Sequence, residues 1–227
     1  MTPVKGPAAN RVRLWDLPVR IVHWSFAGLI PALWWTAEND EMAWHMRLGT
    51  VLLGLLVFRI LWGFAGSSTA RFANFVRSPG AVFRYLASLF GKGPHALSIG
   101  HNAAGGWSVV ALLGLMSLQV SLGLVAGDPD YGSAGPLNHL VGFEFAYDAT
   151  EWHTELVFNL ILVFVGLHLV AIAFYRIVRR DNIIAPMVTG SRPVPQGFTG
   201  MTPAPAWRIL ACALAALVLV AWIWLGA

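Results

Sequence analysis

The feature that most constrains the fold is a long apolar stretch at residues 151–176, EWHTELVFNLILVFVGLHLVAIAFYR. Between residues 156 and 175 it is almost wholly apolar, and about 20 such residues in a helix cross the ~30 Å hydrocarbon core of a bilayer. The stretch nevertheless contains two histidines, His153 and His168. An ionisable side chain in a membrane helix is costly, so it normally faces the bundle interior and has a function.

The spacing of these two histidines is informative. They are 15 residues apart, so an α-helix separates them by ~22 Å along its axis and by only about 60° around it. One helix face therefore presents an imidazole towards each side of the membrane. This arrangement suits two metal cofactors stacked one above the other.

Composition supports a membrane protein. Of the 227 residues, 57% are hydrophobic and 11% are charged, and the mean hydropathy is +0.64, values outside the range of ordinary soluble domains. The single cysteine, Cys212, excludes an internal disulfide, a C-x-x-C-H haem-attachment site and a cysteine-ligated iron–sulfur cluster. The net charge of +4 comes from basic residues beside apolar spans, which set membrane topology, so we expect no nucleic-acid partner.

Five membrane-spanning helices are predicted, and barrel strands are not, because alternating hydrophobicity is absent. A signal peptide at the first span is disfavoured because the apolar run is long and lacks a clear A-x-A cleavage site. The fold class is therefore an all-α integral membrane protein, with a four-helix bundle over residues 17–180. A segment at 1–16 precedes the bundle, and a linker at 181–205 leads to a fifth, C-terminal transmembrane helix. The spans are about 17–36, 42–65, 105–125, 152–178 and 206–225.

Lysine and arginine residues lie on alternate sides of these spans. They occur in the N-terminal segment, between spans two and three, and after span four, whereas segments 37–44 and 126–152 contain none. The positive-inside rule then places the N-terminus in the cytoplasm and the C-terminus in the periplasm.

The two outer segments are also acidic. They are either solvated loops or a docking surface that steers a positively charged periplasmic protein, for which a c-type cytochrome is our preferred partner. The acidic residues are Glu38, Asp40, Glu41, Asp128, Asp130, Glu144, Asp148 and Glu151.

With this topology the histidines pair by depth. His45 pairs with His153 on the outer side, and His23 pairs with His168 on the inner side. Two neutral imidazoles on facing helices are the axial ligands of a b-type haem, and they leave no open coordination site, which favours electron transfer. We therefore predict two haem b groups. The alternative for each histidine is a hydrogen bond to a neighbouring helix.

Other polar residues are weaker candidates. Arg20, Arg47 and Arg59 are predicted partners of haem propionates, with snorkelling to lipid headgroups as the alternative. His101, in GHNAAGG, could contact a propionate, bind a quinone headgroup or cap a helix. His139, in the outer segment, is the alternative outer ligand.

Three motifs together resemble the bacterial cytochrome b561 family, which includes the cytochrome b subunits of membrane-bound nickel–iron hydrogenases. They are RLWDLPVRIVHW, GHNAAGG and the stretch 151–176 with its trailing MVTG, and the resemblance covers roughly residues 11–192. It implies a four-helix bundle with two b haems that moves electrons between a periplasmic redox partner and membrane quinone. By position, it implies the ligands His23, His45, His153 and His168. Ala103 replaces the proline that often follows the asparagine of the third-helix motif, which weakens any role assigned to His101.

These observations predict a multi-pass protein of the bacterial inner membrane, in contact with membrane lipid, that relays electrons between a periplasmic redox protein and the quinone pool. It would act as an electron-transfer protein or as a subunit of an oxidoreductase. The alternatives are a superoxide:quinone oxidoreductase, the cytochrome b subunit of a hydrogenase-like complex, and a haem-free transporter or scaffold. The broken helices typical of transporters are not evident in the sequence.

Overall fold

In the computed structural model, residues 10–89, 100–128 and 133–225 are described, and they are mostly helical. Two short antiparallel ribbons, β1 with β4 and β2 with β3, accompany the helices. In chain order the elements are β1 Asn10–Arg13, α1 Leu17–Glu38, α2 Met42–Ala65, α3 Phe72–Phe75, α4 Pro79–Leu89, α5 Ala103–Val125, β2 Gly127–Asp128, β3 Ser133–Ala134, a 3₁₀ turn Asn138–Leu140, α6 Phe143–Glu151, a π-helical turn Trp152–Val157, α7 Phe158–Ile177, α8 Ile184–Thr189, β4 Ser191–Val194 and α9 Trp207–Leu225.

Four helices in the described part of the chain are long and apolar enough to cross a membrane. They are α2, α5, α9 and the continuous helix Phe143–Ile177, which contains α6, the π-helical turn and α7. This last helix begins well before the predicted residue 152. The predicted span 17–36 is also helical, as α1, whose 22 residues would reach about 33 Å. It is not among the four, because Arg20, His23 and two prolines reduce its hydropathy, so its crossing of the membrane remains a prediction.

The start of α1 is fixed by Asp16, which is 8% exposed. Its Oδ1 accepts a hydrogen bond from the Val19 backbone N–H at 2.8 Å, and this caps the helix. Its Oδ2 accepts from Nε1 of Trp62 at 2.9 Å. Trp62 lies near the end of α2, so one carboxylate joins the beginning of α1 to the end of α2.

The main core joins α2, α5, α6, the π-helical turn and α7. It is built from Leu52, Leu56, Leu113, Met116, Leu122, Ala149, Val157 and Ile161. Large apolar side chains on α7 and α9, such as Leu169, Val170 and Leu210, are exposed. An apolar outer surface is what a helix bundle in lipid requires. α9 packs on α2, where a Cβ at Gly54 would lie 3.6 Å from Val220.

The linker after α7 is more ordered than a simple tether. Its strand β4 pairs with β1, with Asn10 opposite Val194 and Arg13 opposite Ser191. Between α8 and β4, Gly190 has φ +82°, a left-handed conformation that favours glycine. Its carbonyl accepts the backbone N–H groups of Leu14 and Trp15. The residues before α1 and after α7 therefore form one structure at the same end of the bundle.

Candidate haem-binding site

The predicted outer histidines face each other. The rings of His45, near the start of α2, and His153, in the π-helical turn, have centres 6.2 Å apart and planes at 79°. His45 Nδ1 lies 3.0 Å from the Leu33 carbonyl oxygen, and His153 Nδ1 lies 2.8 Å from the Gln119 carbonyl oxygen. A carbonyl can only accept, so each Nδ1 carries the proton and each Nε2 keeps a free lone pair. This is the tautomer that a metal-ligating histidine needs.

Helix α5 holds His153 in place. Besides accepting from the imidazole, Gln119 donates its side-chain Nε2 to the His153 carbonyl oxygen at 2.8 Å. A Cβ at Gly123 would lie 2.8 Å from His153 Cε1, so only glycine leaves room for the ring. Single π-helical turns inside α-helices are frequent at functional sites. Neither Gln119 nor Gly123 was among the residues predicted from the sequence.

The predicted inner histidines also face each other. His23 in α1 and His168 in α7 have ring centres 6.3 Å apart and planes at 57°. His23 Nδ1 is buried and has no hydrogen-bond partner among the described residues. The edge of the His23 ring meets Trp24, with centres 5.1 Å apart. The two pairs lie at opposite ends of the bundle, because α7 carries His168 towards one end and the π-helical turn carries His153 towards the other.

The ring spacing fits a metal between the imidazoles. Two metal–nitrogen bonds of about 2.0 Å, with each ring centre about 1.15 Å further from the metal, put the centres about 6.3 Å apart. A direct hydrogen bond between two imidazoles would bring them to about 5.2 Å. Across residues 10–89, 100–128 and 133–225, no group of three or more His, Cys, Asp or Glu side chains could hold a metal ion. Paired histidines alone suit a metal that brings its own in-plane ligands, as haem iron does.

The three candidate arginines have different surroundings. Arg20 donates to the backbone carbonyls of Met187 and Val188. Arg47 is exposed and lies 5.0 Å above the ring of Trp44. Arg59 is 5% exposed, and its Nη1 has no hydrogen-bond partner among the described residues.

Arg59 and His101 lie in the same buried region. The Arg59 guanidinium is 5.5 Å from the centre of the Phe72 ring. His101 lies between Trp15 and Phe75, with its ring centre 4.6 Å from each. Burial, and then the nearby charge of Arg59, lower the pKa of His101 to about 3, so it is neutral at physiological pH. Its Nδ1 is buried without a partner in the described residues.

Helix α5 is capped by the neighbour of His101. Asn102 Oδ1 accepts from the Gly105 backbone N–H at 2.7 Å, and Asn102 Nδ2 donates to the Tyr175 hydroxyl at 3.0 Å. Capping thus falls to Asn102, and the propionate and quinone roles of His101 remain predictions. His139 lies in the 3₁₀ turn, separate from the pair that His45 and His153 form.

The acidic residues of the outer segments are largely accessible. Asp130 lies outside the described residues, and nothing is described of the Asp128 side chain. No acidic residue of the outer segments forms a salt bridge within the described ranges. The exposed ones are Glu38, Asp40, Glu41, Glu144, Asp148 and Glu151.

Comparison with known proteins identifies a family. A family model described as "Prokaryotic cytochrome b561" matches residues 14–190, a range that contains all four paired histidines. The chain is 26% identical over 217 residues to a "Probable Ni/Fe-hydrogenase B-type cytochrome subunit" of Bradyrhizobium diazoefficiens, and the match covers 80% of this chain and 85% of that protein. No solved structure matches significantly. The chain therefore belongs to the prokaryotic cytochrome b561 family, as a multi-pass bacterial membrane protein and a b-type cytochrome of electron transport.

Proposed function

We propose that the chain is a di-haem cytochrome that relays electrons across the membrane between a periplasmic redox protein and the quinone pool. The observation that carries this proposal is the pair of matched spacings, 6.2 Å between His45 and His153 and 6.3 Å between His23 and His168. Both values fit one metal between two imidazoles. The two pairs lie at opposite ends of the bundle, so two haems would lie near opposite membrane faces.

The haems and the protein would contribute different parts of this function. Each haem, when bound, would supply an iron that exchanges one electron and has no open axial position. The chain holds the ligands in position, with Leu33 and Gln119 fixing the imidazoles of the outer pair. The apolar core of α2, α5 and α7 excludes water between the two pairs. Burial and hydrogen bonding to the ligands then tune the potentials.

Arg59 is the best-supported propionate partner, and it belongs to the inner site. Arg59 and, to a smaller extent, His168 and His23 lower the pKa of His101, so these side chains lie in one neighbourhood. Arg59 is buried with a spare donor atom, whereas Arg20 is engaged with backbone carbonyls. A haem propionate would supply the anion that this buried guanidinium lacks.

Charge distribution supports an orientation and a partner. The basic segments support an orientation with the N-terminus in the cytoplasm and the C-terminus, after the fifth helix α9, in the periplasm. The exposed carboxylates between α1 and α2 and on α6 would then face the periplasm. A c-type cytochrome with a basic docking face is the partner that these carboxylates would attract.

A second partner is supported by the relative in Bradyrhizobium. Because that relative is named as a hydrogenase cytochrome subunit, a hydrogenase-like periplasmic oxidoreductase could occupy the same face. Such a partner would form a stable complex, and a c-type cytochrome would form a transient one.

Electron transfer in nanodiscs tests the proposal. Protein reconstituted with ubiquinone should have its b-type absorbance reduced by a reduced c-type cytochrome, or should reduce the oxidised one when quinol is supplied. The rate should fall with rising salt, and it should also fall when Glu144, Asp148 and Glu151 are replaced together by Gln, Asn and Gln. A matched control replaces Arg176, Arg179 and Arg180 with Gln on the opposite side. Quinone reduction driven by superoxide alone, with no response to a c-type cytochrome, would favour the superoxide:quinone alternative and contradict the proposal.

A further inference from the structure

Gln119 makes two contacts with one ligand of the outer pair. Its backbone carbonyl accepts from His153 Nδ1 at 2.8 Å, and its side-chain Nε2 donates to the His153 carbonyl at 2.8 Å. The same residue thus contacts both the ring and the backbone of His153. It lies in the second half of α5, where a polar side chain is costly unless it has a partner. Its Nε2 has that partner, whereas its Oε1 is buried without one among the described residues.

The side-chain contact occurs where the helix changes its winding. Residues Trp152–Val157 form a π-helical turn between α6 and α7. In the wider turn each carbonyl accepts its hydrogen bond from a different N–H group than in an α-helix. A backbone carbonyl in an apolar environment must have a donor. Gln119 adds a side-chain donor to the His153 carbonyl, which as a carbonyl oxygen can accept this bond beside a backbone one. The amide therefore stabilises the turn at the residue that carries the ligand.

The backbone contact acts on the ring. A hydrogen bond from the distal nitrogen of a ligating histidine fixes its tautomer and orientation and raises its basicity. On the next turn of α5, Gly123 lies against the ring, and a Cβ there would be 3.2 Å from Nδ1. Orientation of the His153 ring thus depends on α5 and the π-helical turn keeping their spacing.

We propose that Gln119 is a positioning residue for the outer haem. Its side chain holds the π-helical turn against α5, so that its own carbonyl stays on His153 Nδ1 and sets the strength and orientation of that ligand. This inference rests on the proposed function, because it requires haem on His45 and His153. It assigns the residue a role through His153, not a contact with the haem.

The test replaces Gln119 with Met, which keeps the length of the side chain and removes the donor. Redox titration and low-temperature EPR of the purified full-length protein should show an upward shift in the outer haem's potential, since a weaker hydrogen bond makes the imidazole a poorer donor to iron. The outer haem's low-spin signal should also move, and the inner haem serves as an internal reference. Ser117→Ala is the matched control, because among the described residues that hydroxyl bonds only the Leu113 carbonyl of its own helix.

A second variant changes the contact between α5 and the His153 ring directly. Gly123→Ala presses on the same ring from α5 and should change the same haem. Selective loss of the outer haem in Gln119→Met, with the inner haem retained, supports the inference in stronger form, and the same loss in Gly123→Ala shows that the outer haem depends on the α5 side of the His153 ring. Unchanged potentials and EPR signals in Gln119→Met, or equal changes in both haems, would overturn it while leaving the di-haem proposal intact. A wild-type protein without two b-type haems would defeat the proposed function itself, and this inference with it.

Discussion

Replacing Arg59 with Met tests whether a cofactor carboxylate completes the inner site. Arg59 is 5% exposed, has no ion pair within the described residues, and has an unpartnered Nη1. Asp16 is the nearest acidic influence, but its two oxygens accept from Val19 and Trp62. Without an added anion, Arg59 is therefore a buried charge with no ion-pair partner in the part of the chain that the structure describes.

The two possibilities predict different effects of the Arg59→Met substitution on haem release and on protein stability. If a propionate pairs with Arg59, its removal leaves that anion unpaired and should cost about 3 kcal/mol or more in haem binding, which is roughly a hundredfold faster haem release. If no anion binds there, removing an unpaired buried charge should leave the protein equally stable or more stable.

Haem transfer to excess apomyoglobin measures the rate of haem release. Thermal unfolding of protein prepared without haem measures how the loss of the buried charge changes stability. We expect fast release of one haem, with unfolding of the haem-free variant at the same or a higher temperature. Arg84→Met, at an exposed arginine of α4 that belongs to neither predicted haem site, is the control and should release haem like the wild type. Wild-type release rates for both haems in Arg59→Met would refute the reasoning.

Two further predictions concern the end of the bundle where α1 begins. Burial lowers the pKa of His101 to about 3, so the unfolded chain binds more protons than the folded one between about pH 6.5 and 3. His101 therefore lowers the free energy of unfolding by up to ~1.4 kcal/mol per pH unit as the pH falls through that window. His101→Asn should make the melting temperature fall less between pH ~7 and ~4.5 than it does in the wild type. Parallel plots of melting temperature against pH for the two proteins would contradict this. Asp16→Ala removes the α1 cap and the Trp62 partner and should cost about 2–4 kcal/mol in thermal unfolding. Asp16→Asn retains one acceptor oxygen, and so one of the two bonds, and should lose less than Asp16→Ala. Equal losses in the two variants would argue against the hydrogen bonds as the cause.

Hydropathy predicted the long helices well because a membrane span is a strong and local signal. Depth along a helix follows from residue number once the topology is set, and it predicted His45 beside His153 and His23 beside His168; their role as haem ligands stays a prediction. The 6.2 Å and 6.3 Å separations agree with that pairing. The extension of the last bundle helix back to Phe143 was missed, because the acidic residues of α6 resemble those of a solvated loop.

The sequence patterns did not predict contacts between distant parts of the chain. The pairing of β1 with β4 joins Asn10 to Val194, and neither strand is long enough to show alternation. The π-helical turn at His153 has no hydrophobic period of its own. Gln119 did carry a signal, as an amide within an otherwise apolar stretch, but its partner became identifiable only when α5 and His153 were seen together.

Haem counting by ligand replacement tests the central claim most directly. Pyridine haemochrome content and reduced-minus-oxidised spectra should be measured for the wild type and for His23→Ala, His45→Ala, His153→Ala and His168→Ala. The account predicts two b haems per chain in the wild type. His23→Ala and His168→Ala should lose the same haem, and His45→Ala and His153→Ala should lose the other. Retention of both haems in His168→Ala, or a wild type with no b-type spectrum, would contradict it.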